Sequence, residues 1–274
     1  YHAIKLGLKD YFEKNGFTRA CLGLSGGIDS AVVVAIAADV LGPENVRVLM
    51  MPSQFSSDHS VDDALKLAEN LGIEYDIVPI TETYTTVMKA MRPVFGDLPF
   101  DVAEENIQAR IRGLMMMAVS NKFGHILLNT TNKSEMAVGY GTLYGDTNGS
   151  ISLLGDLYKS EVFDLARYIN RDTEIIPENI ILKAPSAELR PEQRDDESLP
   201  PYDVLDAILY RMIEEGQHRE EIINAGFDAE VVYKVYGMVL RNEHKRYQFC
   251  PVLRLSTRTF GKERVMPLTN RYGY

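Results

Sequence analysis

Nine consecutive residues, Leu22-Gly23-Leu24-Ser25-Gly26-Gly27-Ile28-Asp29-Ser30, carry the clearest chemistry in this sequence. The paired glycines let the backbone approach a phosphate closely, and the free amides of a helix starting just beyond them point at the anion. Ser25 and Ser30 add hydroxyl donors. No lysine follows the glycines, so the G-x-x-x-x-G-K-[ST] nucleotide loop is absent, and G-x-G-x-x-G is absent too. An aspartate among phosphate-binding glycines repels its ligand unless a divalent cation stands between them. Asp29 is therefore a candidate magnesium ligand; the plainer alternative is a helix cap.

The elements around this loop set its place. Ile4, Leu8, Tyr11 and Phe12 have helical spacing and are closed by Asn15-Gly16. The apolar run Ala20–Leu24 reads as a strand, and a helix is expected over Ala31–Leu41. Strand Val46–Met51, helix Val61–Leu71, strand Tyr75–Ile80, a helix near Tyr84–Met91, a long helix Val102–Asn121 and strand His125–Leu128 continue the alternation. Such alternation predicts an α/β fold, a doubly wound parallel sheet with helices on both faces. Ligands of such sheets bind beyond the carboxyl ends of the strands. The loop 22–30 and the segment Asn129-Thr130-Thr131-Asn132-Lys133-Ser134-Glu135 each follow a strand, so both fall on that edge. After Tyr158 the pattern becomes a helical C-terminal part, with helices expected at Ser160–Ile169, Tyr202–Glu215 and Ala229–Lys245. The Pro- and charge-rich stretch Pro185–Pro201 has the composition of a mobile loop and is the candidate lid.

Of the 274 residues, 45% are hydrophobic and 25% charged, and the net charge is −10. That balance argues against a nucleic-acid binder relying on a positive field. The stretch from His244 onward reverses the sign: Lys245, Arg246, Arg254, Arg258, Lys262, Arg264 and Arg271 oppose one Glu263. Such a reversal marks either an anion site or a solvated basic tail. Cys21 and Cys250 offer no disulfide framework, which fits a reducing cytoplasm, and no apolar run is long enough for a membrane span. The chain opens on Tyr1 without a methionine, as an excised domain does. His59, His125 and His218 have no metal spacing, and Met115-Met116-Met117 reads as packing or a subunit interface.

The stretch Ser25–Ser30 resembles the pyrophosphate loop of the ATP pyrophosphatases that release AMP and pyrophosphate, a superfamily holding GMP, asparagine, argininosuccinate and NAD synthetases and tRNA-thiolating enzymes. Three further stretches resemble NAD synthetases in particular. Glu105-Asn106-Ile107-Gln108-Ala109-Arg110-Ile111-Arg112 is similar to the helix that contacts their deamido-NAD substrate. Asn129–Glu135 is similar to their second nucleotide loop, and Glu243-His244-Lys245-Arg246 to their C-terminal substrate-binding stretch. The resemblance covers essentially the whole chain. Met51-Pro52-Ser53 and Arg258-Thr259-Phe260-Gly261 bring its wording nearest the ligase domain of the glutamine-dependent enzymes.

What the resemblance implies is an adenine-nucleotide-hydrolase-like fold and ATP-dependent amidation of deamido-NAD to NAD. ATP contacts are implied for Gly23, Leu24, Ser25, Gly26, Gly27, Ile28, Asp29, Ser30, Thr130, Lys159 and Ser186. Asn106, Arg110, Glu135, His244 and Lys245 are implied for deamido-NAD, Mg²⁺ for Asp29 and Glu135, and a catalytic set of Asp29, Glu135 and Lys159. Ser186 stands where the family has threonine. Leu143 and Ser150 stand, without gaps, where the shorter ammonia-dependent relatives carry lysine and aspartate, so those two roles are not transferred. A homodimer through the Glu105–Asn121 helix is also implied, as is an ammonia source in a separate N-terminal glutaminase domain absent here. Read without the resemblance, Arg110 and Arg112 are solvated helix charges, Glu135 a first-turn acid and His244 a helix-end cation. Two other classes stand beside this reading. A tRNA-thiolating relative needs a reactive cysteine pair and a basic face, and a nucleotide-binding module without turnover has no need of two acidic metal ligands.

Overall fold

The computed structural model describes residues 1–190, 193, 195–261, 263, 264 and 266–268. Five strands, β1 (Ala20–Gly23), β2 (Val46–Met50), β3 (Glu74–Ile77), β4 (Ile126–Asn129) and β5 (Ile151–Ser152), form a parallel sheet in the order β3-β2-β1-β4-β5. The central strands are apolar at successive positions because both faces are covered. Ala20, Leu22, Val48 and Leu128 face one core, while Cys21, Leu49 and Leu127 face the other.

On the first face lie α1 (His2–Asn15), α2 (Ile28–Leu41), α3 (Asp58–Leu71), α7 (Lys159–Ile169) and the short α8 (Glu178–Leu182). Helix α2 is buried from Ile28 to Ala38 except at Asp29, which explains why its sequence is apolar on every side. On the second face lie α4 (Thr81–Phe95) and α5 (Val102–Phe123). The chain order reverses at β1: β2 and β3 extend one way, β4 and β5 the other. That reversal opens a crevice at the carboxyl ends of β1 and β4, where the two sequence motifs emerge.

The helical part builds its own core from α6 (Lys133–Val138), α9 (Tyr202–Ile213), α10 (Arg219–Asn224), α11 (Ala229–Arg241) and Phe260. Several expected boundaries shift. Helix α2 starts at Ile28 with Gly27 as its cap, so Asp29 and Ser30 belong to its first turn rather than to the loop. Strand β3 ends at Ile77, and α4 continues through Pro93 to Phe95. The helix expected over Ala229–Lys245 breaks at Asn242, with α12 (Glu243–Arg246) beyond it. Asn242 Nδ2 donates to Met238 O and across to Val138 O, both at 2.8 Å, tying the break to α6. β5, α6, α8 and α10 were not expected; two to six residues are too few to show a period.

Lys133 joins the two parts. Fully buried at the start of α6, its ammonium donates to Asp156 Oδ1 at 2.8 Å, Ser256 Oγ at 2.9 Å, Arg258 O at 2.9 Å and Glu214. Burial alone raises the Asp156 pKa, but Lys133 and the Ser256 and Leu255 amides more than offset it and hold the carboxyl low. Its stabilisation is therefore full above its unfolded pKa, about 4, and is lost as pH falls through the lower folded value. Lys133→Met leaves two buried carboxylates without their cation, and urea unfolding at pH 7 is expected to show a loss of about 3–5 kcal/mol. An unchanged midpoint contradicts this role.

Candidate active site

Three chain segments converge on one ammonium. Lys159 opens α7 and is 3% exposed; its Nζ lies 2.5 Å from Asp29 Oδ2 and 3.3 Å from Glu135 Oε1. Asp29 sits in the first turn of α2, where a carboxylate is favoured by the helix dipole. Lys159 is placed against its own helix dipole, so it is the two carboxylates that hold it. Asn132 caps α6: its Oδ1 accepts from Glu135 N at 2.9 Å, and its Nδ2 donates to Asp29 Oδ1 at 2.9 Å. Glu135 returns a bond to Asn132 N at 3.4 Å through Oε2, completing a capping box. Glu135 is thus a first-turn capping acid and also faces Lys159 with its other oxygen.

One ammonium cannot neutralise two carboxylates held out of water. Burial, with Asp29 and Asp195 nearby, pushes Glu135 up to about 8 against the pull of Lys159. Burial also works against the charge of Lys159, but Asp29 and Glu135 outweigh it and raise its pKa. Asp195 accepts from Tyr202 Oη at 3.0 Å and Tyr140 Oη at 3.1 Å, and the Tyr202 ring lies 5.1 Å from Lys159 Nζ.

A cleft of ≈ 330 Å³ opens over this cluster. Its walls include Gly23, Leu24, Ser25, Gly27, Ile28, Asp29, Ser30, Thr130, Glu135, Lys159 and Ser186, which unites nearly all the residues expected to meet ATP. Gly26 is off the wall for a steric reason. Its φ is +76°, and a Cβ there would stand 2.2 Å from Ser60 O, so glycine lets α3 abut the loop.

Part of the expected lid forms another wall. Glu188 accepts from Ser60 Oγ at 2.6 Å and Ser57 Oγ at 2.9 Å, and Gln108 Nε2 donates to Leu189 O at 2.8 Å. Glu192 and Arg194 of that stretch, and Lys262 and Arg271 of the basic tail, lie outside the described residues.

Asn106, Arg110, His244 and Lys245 do not line this cleft. Three of them hold the loop that follows α6. Asn106 Oδ1 accepts from Thr142 Oγ1 at 2.7 Å, Arg110 Nε donates to Leu143 O at 3.2 Å, and Lys245 Nζ donates to Gly139 O and Gly141 O at 2.7 and 2.8 Å. His244 is exposed, with Nδ1 3.1 Å from Arg241 O. The basic cluster thus does not close a long helix. Lys245 crosslinks a neighbouring loop, and Arg246 is buried against Glu243 at 2.9 Å and Ala137 O. Met116 enters the core beside Cys21 and Leu127, Met115 packs near Ile80 and Tyr84, and Met117 is exposed.

Asn132, Tyr140, Asp195 and Tyr202 were not singled out from sequence. Asn132 lay inside a motif; the tyrosines carry no spacing signal. Among the described residues, no group of three or more His, Cys, Asp or Glu is arranged to hold a metal.

A family model described as NAD synthase matches residues 1–249. The chain belongs to the NAD synthase family. A relative from Synechocystis sp. named glutamine-dependent NAD(+) synthetase is 53% identical over 272 residues, covering 99% of this chain and 49% of that protein. The chain spans about half the length of the curated relatives it matches. Glutamine-dependent NAD+ synthetase from Acinetobacter baumannii, solved in complex with adenosine diphosphate, is similar at TM-score 0.66 and 46% identity over 97% of this chain and 48% of that one. NH3-dependent NAD synthetase from Campylobacter jejuni is similar at TM-score 0.71 and 29% identity over 89% of this chain and 93% of that one. The NAD synthase family fold, the adenine-nucleotide-hydrolase-like one, is the fold of this chain.

The ion-pair cluster predicts a coupling. Lys159→Met leaves Asp29 and Glu135 facing each other, and urea unfolding is expected to show a loss of about 3–5 kcal/mol. Adding Asp29→Asn should recover at least about 1 kcal/mol of that loss in a double-mutant cycle. Strict additivity of the two substitutions contradicts the pairing.

Proposed function

We propose that this chain catalyses ATP-dependent amidation of deamido-NAD to NAD, and that it is the ligase part of a longer glutamine-dependent enzyme. The observation that carries the reading is the meeting of the phosphate loop, the second loop and Lys159 on one cleft in a chain of this family. A carboxylate is a poor electrophile, so it is activated first. The nicotinate carboxylate oxygen bonds to the α-phosphorus of ATP as the bond to the bridging oxygen breaks, and pyrophosphate leaves with the electron pair. Amides and hydroxyls of Ser25–Ser30 hold that leaving group, and Lys159 offsets charge at the cleft floor. Ammonia then bonds to the acyl carbon, AMP leaves, and the surplus proton passes to solvent. Water competes for the same adenylate, so the 185–190 wall and Asp195 serve to exclude it.

Asp29 and Glu135 are the proposed Mg²⁺ ligands. Magnesium is held by one or two carboxylates where a polyphosphate supplies further oxygens, and two hard carboxylates converging on one point fit that need. Bound magnesium supplies charge neutralisation to the leaving pyrophosphate.

Ammonia is the proposed nitrogen donor to this chain, and glutamine the donor to the whole protein through a separate glutaminase domain. Burial pushes the thiols of Cys21 and Cys250 up to about 12, so neither supplies a thiolate for amide hydrolysis. A cytoplasmic location is proposed on its two free cysteines, Cys21 buried and Cys250 half-buried. No described helix is long and apolar enough to cross a membrane. A homodimer is proposed through α5, whose Val102, Leu114 and Met117 are exposed.

The test is direct. With deamido-NAD, ATP, Mg²⁺ and ammonium, NAD, AMP and pyrophosphate are expected in equal amounts; ADP and orthophosphate in their place would refute the reaction. With ammonia-free glutamine as the only donor the chain is expected to be silent, and NAD formed under that condition would sink the assignment of nitrogen source. Asp29→Asn and Glu135→Gln should each lower kcat by about 10²-fold or more at limiting Mg²⁺. Retention of about a tenth of the wild-type rate counts against a shared metal.

A further inference from the structure

We propose that Arg112 is a further ligand-binding residue of this cleft. Its guanidinium takes an oxyanion at the reacting end of the substrates, the α-phosphate of ATP or the nicotinate carboxylate. The inference rests on the proposed function.

Arg112 lies on α5 and forms part of the cleft wall, unlike Arg110, which is exposed and lies off it. Its Nε donates to Met51 O at 3.0 Å, just beyond the end of β2. That bond uses one of five N–H donors in a rigid planar fork and leaves those on Nη1 and Nη2. Among the described residues, no carboxylate stands within 4.0 Å of the Arg112 guanidinium, whereas Arg47, Arg190, Arg246 and Arg254 each have an acidic partner. Burial pulls the Arg112 pKa down, and the more distant charges of Glu188 and Asp146 only partly oppose it.

A desolvated guanidinium without a counter-ion is costly unless a ligand supplies one. The neighbours say where that ligand group lies. A Cβ on Gly23 would meet Met51 Cε at 3.4 Å and Met116 Sδ at 4.0 Å. Met51 is the residue whose carbonyl Arg112 holds, and Met116 is one turn along the same helix. Arg112 is thus joined through Met51 to the surroundings of Gly23, the last residue of β1, where the phosphate loop leaves the strand, and it shares the cleft wall with Lys159. A fork of donors there matches the paired oxygens of a phosphate or carboxylate. The competing role is a strut: Arg112 ties α5 to the end of β2 and touches no ligand.

The test compares Arg112→Gln and Arg112→Lys with wild type. ATP affinity is measured by calorimetry without the second substrate, and Michaelis constants and melting temperature in the amidation assay. The glutamine variant is expected to lose at least tenfold in kcat/KM, and the lysine variant to recover only part of it. Weakened ATP binding assigns the phosphate; an increased KM for deamido-NAD with ATP affinity intact assigns the carboxylate. Wild-type affinities and kcat in Arg112→Gln, with a lower melting temperature, overturn the proposal. Should that variant fail to fold, Arg112→Lys decides: at least threefold weaker binding of one substrate supports the proposal, and unchanged binding of both overturns it. A wild-type chain that makes no NAD refutes the proposed function, while the ATP-affinity arm still reads Arg112.

Discussion

One buried ammonium, Lys159, stands between two carboxylates that come from different strand ends, and the architecture around it is arranged to make that possible. Asp29 arrives with α2 after β1, Glu135 with α6 after β4, and the lysine with α7. β1 and β4 are neighbours only because the strand order reverses there. Taking three charges from water is unfavourable, and the geometry must be tight to offset it. Asn132 supplies that tightness by capping α6 while donating to Asp29. Burial, more than the neighbouring carboxylates, raises Glu135 against the pull of Lys159.

The helical part serves the same site from the other side. Lys133, two residues before Glu135, is fixed by Asp156 and Glu214, so the second loop is anchored to the turn after β5 and to the end of α9. Ser134 continues the linkage, accepting from Lys159 N at 2.9 Å while its hydroxyl donates to Asp206 of α9. Beyond Glu135 the chain runs into the 139–148 loop, held by α5 through Asn106 and Arg110 and by α12 through Lys245.

The place of the 22–30 loop on the cleft was legible because glycine pairs and an internal aspartate after an apolar strand are informative residue by residue. The core strands were legible because a sheet covered on both faces writes a continuous apolar run. Asn242 was not read as a break: the apolar spacing of α11 runs up to it, and the interruption depends on a carbonyl of α6 far away in sequence. Asp195 was visible only as one charge in a loop, since its meaning comes from Tyr140 in the loop after α6 and Tyr202 on α9. The bonds of Lys245 Nζ to the carbonyls of Gly139 and Gly141 left no trace in the sequence, because the loop that supplies them is about a hundred residues away. Short elements such as β5 exist by pairing with β4 and leave no periodic trace.

In the proposed reaction the nicotinate carboxylate attacks the α-phosphorus of ATP, and oxygen transfer tests that step directly. Deamido-NAD labelled with ¹⁸O in both carboxylate oxygens is turned over with ATP, Mg²⁺ and ammonium, and the products are analysed by mass spectrometry. One labelled oxygen in AMP and one in the amide of NAD is the expected result. Label in pyrophosphate or orthophosphate, or AMP free of label while NAD accumulates, would contradict adenylation at this site.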